Sequence, residues 1–111
     1  MIKMALSPAA SALLRALIGR SGASRDRILL IDVRSIDWRS LTFTGERHSI
    51  ELRILPPHSN ATAQRMCSCL EDAEFSIPGL IVADIAVVGS PTSACDGSTV
   101  VSIEALTIAD D

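Results

Sequence analysis

The sequence predicts an α+β fold, a two-layer sandwich in the order α-β-β-α-β-β whose four-stranded antiparallel sheet carries both helices on one face. Three observations carry that expectation. Residues 8–18 and 61–73 repeat apolar side chains at helical spacing. The stretches ILLIDV, HSIELRIL, LIVADIAVV and TVVSIEALTI are rich in β-branched and aliphatic residues and read as strands. Between these segments stand turn and breaker signals: Gly19 and Gly22, Pro56-Pro57, Ile77-Pro78-Gly79 and Asp96-Gly97. The same order is that of a ferredoxin-like βαββαβ sandwich with its first strand moved to the end, a likeness of topology from which no function follows.

Each element has its own justification. Ser7-Pro8 reads as an N-cap followed by proline at the first helical position. Behind it Ala10, Leu13, Leu14, Leu17 and Ile18 form one stripe, which Gly19 and Gly22 bring to an end. The first strand region has a parity problem. Leu29, Ile31 and Val33 share one face, Ile36 and Trp38 the other, and Leu41 and Phe43 return to the first. A flat strand alternates strictly, so bulges are expected near Arg34-Ser35 and Arg39-Ser40, with the hairpin turn at Thr44-Gly45-Glu46-Arg47. In the second strand Ile50, Leu52 and Ile54 point inward, and Pro56-Pro57 stop it. Ser59 or Asn60 caps a helix over ATAQRMCSCLEDA, whose inward face is Ala63, Met66, Cys67, Leu70 and Ala73. The third strand is apolar on both faces apart from Asp84.

With 111 residues the chain holds one domain, 1–111, with residues 1–5 and 109–111 expected as loose ends. Apolar residues make up 48% and charged residues 21%, an ordinary globular mixture. There is no Tyr, and Trp38, Phe43 and Phe75 are the only aromatics, which weakens any case for base stacking. The odd set Cys67, Cys69 and Cys95 fits a reducing setting, so the expected location is cytoplasmic. Arg15 cuts the first apolar run short of a signal peptide, and no stretch reaches the ~18 apolar residues of a membrane span.

Charge is unevenly placed. All ten Lys and Arg fall in residues 1–65 beside five acids, giving +5, while residues 66–111 hold eight acids and no base, giving −8. Either the halves interleave their charges, or each faces a separate partner, or copies of the chain meet head to tail.

Few residues suggest chemistry. Cys67 and Cys69 on a helix point roughly 200° apart and cannot clasp one ion, so no metal site is expected and the thiols read as buried and inert. His48 opens the inward row of the second strand, with Asp37, Glu46 and Ser40 near enough to converge on it. Asp84 is either a buried acid or an edge residue facing solvent or an arginine. Neither GxGxxG nor GxxxxGK[ST] occurs, so no cofactor is expected. Arg34, Arg39, Arg47 and Arg53 alternate with Asp37, Glu46 and Glu51, a mixed-charge face that does not suit nucleic acid.

No catalytic residue is assigned. The surface expected to bind is Trp38, Arg39, Glu46, Arg47 and His48. The doubly apolar third strand points to a homodimer packed through the sheet face, with a protein or small anionic ligand as a further partner. The function expected is therefore a small non-catalytic, dimerising interaction or ligand-binding module. The alternative is a small dimeric enzyme using His48 or Asp84 as acid or base.

Overall fold

The protein is described here by a computed structural model covering residues 6–110. It is α+β, with two helices and a five-stranded antiparallel sheet. Helix α1 spans Pro8–Ser21, strand β1 Ile28–Arg39, β2 Thr44–Ile54, helix α2 Ser59–Cys67, β3 Leu80–Val87, β4 Thr92–Ser93 and β5 Thr99–Ala109. The sheet order is β1-β2-β5-β3, and the two-residue β4 continues the β3 edge by pairing with β5 at Thr99 and Val100. That short strand makes the sheet five-stranded rather than four-stranded. It arises inside the 90–98 segment, where Ala94 donates its N–H to the Ser98 carbonyl at 2.9 Å.

Helix α1 starts and stops where the sequence places its signals. The Ser7 hydroxyl accepts the Ala10 N–H at 3.1 Å, and Gly22 closes the helix in the left-handed region at φ 74°. The α2 segment departs from expectation. The helix ends at Cys67, because Cys69 turns left-handed at φ 52° and Leu70–Asp72 form a separate short 3₁₀ turn. Leu70 still reaches the core at 2% exposure, through that kink and not through a continued helical stripe. Ser59 does not cap α2. His58 occupies that position with φ 65°, while the Ser59 hydroxyl donates to the Gly97 carbonyl at 2.6 Å.

The parity problem in β1 has one bulge and one turn as its solution. The register with β2 slips between Leu30 and Asp32, so Ile31 is the extra residue. After it, Val33 faces the helices, and Ile36 and Trp38 face away. The hairpin then reverses at Ser40–Phe43, four residues earlier than the sequence suggested. Ser40 holds it, donating its N–H to the Phe43 carbonyl at 2.9 Å while its hydroxyl accepts the Phe43 N–H at 3.0 Å. Strand β5 runs to Ala109, which pairs with Leu80, and Asp110 donates its N–H to the Gly79 carbonyl at 3.1 Å, so neither residue is the loose end expected. Residues 1–5, also expected to be loose, lie outside the described residues.

One core joins the layers. Leu13 and Leu17 of α1 and Ala63 and Met66 of α2 meet Ile50, Leu52 and Ile54 of β2 and Val101, Ile103 and Ala105 of β5 on one sheet face. Arginines lock the helix pair. Arg20 of α1 donates to the carbonyls of Met66, at 3.0 Å, and Ser68, while Arg65 of α2 donates to the Ser21 carbonyl at 2.9 Å. Each helix thus supplies a cation to the carbonyl-rich C-terminal end of the other. Among the described residues ion pairs between the halves neutralise little of the uneven charge, since a single one crosses them, Arg53–Asp96 at 3.5 Å.

Candidate functional site

Two regions carry more than packing. The first lies on the helix side of the sheet, at the end nearest the α1 N-terminus. Ser35 of β1 pairs with His48 of β2, and His48 pairs with Ala105 of β5, so the imidazole stands in the middle of the face. It is 1% exposed. Both ring nitrogens are engaged, Nδ1 with the Ser35 hydroxyl at 2.8 Å and Nε2 with the Thr107 hydroxyl at 2.8 Å. Thr107 is fully buried, and its hydroxyl has the Glu46 carbonyl 3.5 Å away. Ser35 is exposed, because β1 is the sheet edge.

Burial pushes the His48 pKa below its ordinary value, with the Glu46 carboxylate pulling weakly the other way. A folded state that prefers neutral imidazole binds fewer protons than the unfolded chain. The His48 contribution to stability is therefore complete above about pH 6.5 and is lost as pH falls from there towards the depressed folded value. Urea midpoints between neutral and mildly acidic pH should fall in the wild type and fall less in His48→Gln. An equal slope in both would reject this account.

Two residues farther along the same strands, roughly 7 Å away, the face opens into a cleft of about 410 Å³. Pro8, Ala9 and Ala12 of α1 form one wall, and Asp37, Glu46 and Thr107 line the sheet side. Asp37 and Glu46 are direct cross-strand partners, a like-charge pairing that costs stability. Asp37 and Glu46 share the inward face with His48 one pair farther along the hairpin, and Ser40, also expected near His48, is spent on the hairpin turn. The serine that meets His48 is Ser35. No local motif marks it, and only the β1–β2 register brings it there.

The second region is the opposite face of the sheet, which no helix among the described residues covers. Its end row reads Trp38, Gly45, Ile108 and Ile81, and the next row Ile36, Arg47, Leu106 and Asp84. Ile36 is 67% and Ile81 45% exposed. The five residues expected to form one binding surface are therefore divided. Trp38 and Arg47 lie on this open face, Glu46 and His48 on the helix side, and the exposed Arg39 at the end of β1. Asp84 is exposed on the open face of edge strand β3, just past the extra residue Ala83, and is not a buried acid.

The thiols are scattered. Cys67 is half-buried, with its thiol pKa pushed up by burial against the pull of Arg20, whereas Cys69 is exposed and not buried as expected, and Cys95 is exposed too. Among the described residues no three His, Cys, Asp or Glu side chains gather closely enough to hold a metal ion, and no helix is long and apolar enough to cross a membrane. Set against known proteins, the chain matches no family model and no curated protein. Its function has to be argued from its own geometry.

Proposed function

We propose that the protein is a small dimerising interaction module in which two copies pack through the open sheet face. The observation that carries this reading is the uncovered apolar end of that face, where Ile36, Trp38, Leu106, Ile108 and Ile81 are neighbours in the ladder. A two-layer sandwich ordinarily keeps its outer sheet face polar, and contiguous apolar surface marks an interface.

The charge on the same face favours a second copy as the occupant. Arg34, Arg47 and Arg53 share it with Asp32, Glu51, Asp84 and Glu104, a near-balanced set that is complementary to itself across a two-fold axis. Arg47, Glu51, Asp84 and Glu104 form no ion pair within the chain among the described residues, so they remain available to a partner. Edge-to-edge pairing is the weaker route. β1 carries a bulge at Ile31 and the charges Asp32, Arg34, Asp37 and Arg39, devices that deter strand addition. The strand order β1-β2-β5-β3 supports the permuted ferredoxin-like description, since it is the order that arrangement gives when its first strand moves to the end. The free thiols support a reducing, cytoplasmic setting. An anionic ligand suits the helix-side cleft poorly, given Asp37 and Glu46 in its lining.

Light scattering across a concentration series tests the reading. The wild type should be dimeric at high micromolar concentration, and Ile36→Arg combined with Ile81→Arg should leave a folded monomer. Loss of even one buried isoleucine weakens the dimer by roughly tenfold or more. A wild type that stays monomeric throughout would overturn the proposal.

A further inference from the structure

The helix-side face holds a hydroxyl–imidazole–hydroxyl chain that packing alone does not require. Its ends differ. Thr107 has no exposed surface and lies beneath the cleft, whereas Ser35 stands exposed on an edge strand. The Thr107 hydroxyl, 2.8 Å from Nε2, is placed to accept an N–H there. In that tautomer Nδ1 is unprotonated and accepts the Ser35 hydroxyl proton at 2.8 Å. A nucleophile, a base within hydrogen-bond reach and a third group that fixes the base's tautomer are the parts an activated serine needs.

We propose that Ser35 is a nucleophile and His48 its general base, and that this pair takes the acyl group of short carboxylic esters. In the acylation step the Ser35 Oγ forms a bond to the ester carbonyl carbon while its proton passes to His48 Nδ1. The carbon–oxygen bond to the leaving alcohol breaks, and that alcohol takes the proton back from Nδ1. An acyl-serine and a free alcohol result, with no other reactant needed. β1 is an edge strand, so backbone N–H groups on its outer side have no ladder partner, and these are the donors proposed for the developing oxyanion. The cleft begins one inward pair beyond Ser35 and His48, at Asp37 and Glu46, and is the seat proposed for the rest of the ester. Pro8, Ala9, Ala12 and Leu80 supply apolar walls, and Asp37 and Glu46 favour a neutral or cationic group over an anionic one.

The inference does not rest on the dimer, because Ser35 and His48 face away from the sheet surface assigned to it. Its test uses the full chain with p-nitrophenyl acetate, following both nitrophenol release and the intact mass. The expected result is a burst of about one equivalent and a single acetyl adduct that peptide mapping places on Ser35. Ser35→Ala, a surface change that should fold, abolishes the adduct. His48→Gln lowers the acylation rate by at least about 100-fold, and the wild-type rate falls at acidic pH as the imidazole is protonated. Ser49, exposed on β2, is the internal comparison. Absence of an adduct on the wild type, or acetylation of Ser35 no faster than of Ser49, overturns the proposal whether or not the His48 variant folds.

Discussion

Gly45→Ala should destabilise the protein by at least about 2 kcal/mol, a larger loss than its small size suggests. Gly45 sits in β2 between Trp38 on β1 and Ile108 on β5. A Cβ added there would overlap the Thr107 carbonyl oxygen, with the Thr107 carbonyl carbon at 3.0 Å and the Ile108 Cα at 3.1 Å. All three are backbone atoms of the neighbouring strand, so no side chain can swing aside. The strands must separate or slip, and the disturbance falls on the residue whose hydroxyl holds His48. Gly19→Ala provides a contrast of opposite sign. Nothing lies within 4 Å of a Cβ at Gly19, which is helical, so alanine there should stabilise by roughly 0.5–1 kcal/mol. Denaturant melts of the two variants beside the wild type measure both. Equal midpoints for Gly45→Ala and the wild type would show that β2 and β5 do not approach as closely as described.

The sequence made Gly45 look like something else. Thr-Gly-Glu-Arg carries a turn signal, and glycine in a turn supplies backbone freedom. The structure uses glycine here for close approach inside a strand, and the reversal comes from Ser40, whose side chain caps the Phe43 N–H. Turn residues and close-approach residues overlap in composition, so the position of that hairpin was not legible. Alternation served better where it was unbroken. Ile50, Leu52 and Ile54 are inward as read, because β2 has no register slip against β5 across that stretch. In β1 the broken alternation did reveal an irregularity, but its place, Ile31, depends on which β2 residues lie opposite. Helix α2 was overextended because Leu70 keeps helical spacing from Met66 and Ala63, and spacing alone does not distinguish a helix from a kinked chain that still delivers the same side chain to the core.

The candidate site was legible only by its imidazole. His48 stood out through its parity with Ile50, and that parity does place it inward. Its partners were invisible for a simple reason. Ser35 is 13 residues away and Thr107 is 59 residues away along the chain. Both are brought in by antiparallel register, and neither residue type is unusual in a strand. The surface expected around Trp38, Arg39, Glu46, Arg47 and His48 treated neighbours in sequence as neighbours in space. A strand sends successive side chains to opposite faces, which is why Glu46 and Arg47 ended on different sides of the sheet.

Leu52→Ala should have the other large effect, about 2–5 kcal/mol of lost stability. Leu52 is fully buried between Leu30 on β1 and Val101 on β5, on the face where both helices pack. Leu52 belongs to the one core cluster that joins both helices to β1, β2 and β5, so the neighbours cannot collapse into the space without moving a helix or a strand. A domain of this size has roughly 5–15 kcal/mol in total, so the variant should sit near the edge of folding. Ile36→Ala removes a similar apolar volume at a position 67% exposed on the open face. As a single chain it should change stability by no more than about 0.5 kcal/mol. If two copies pack through that face, however, its cost appears once the protein is concentrated enough to associate, since a partner that binds only the folded form adds stability by mass action. Melting curves at low and high protein concentration therefore separate the two faces. Leu52→Ala should lose the same stability at both, while the Ile36→Ala deficit should grow with concentration. A concentration-independent deficit at Ile36 would assign that side chain to the fold of one chain and remove it from any interface.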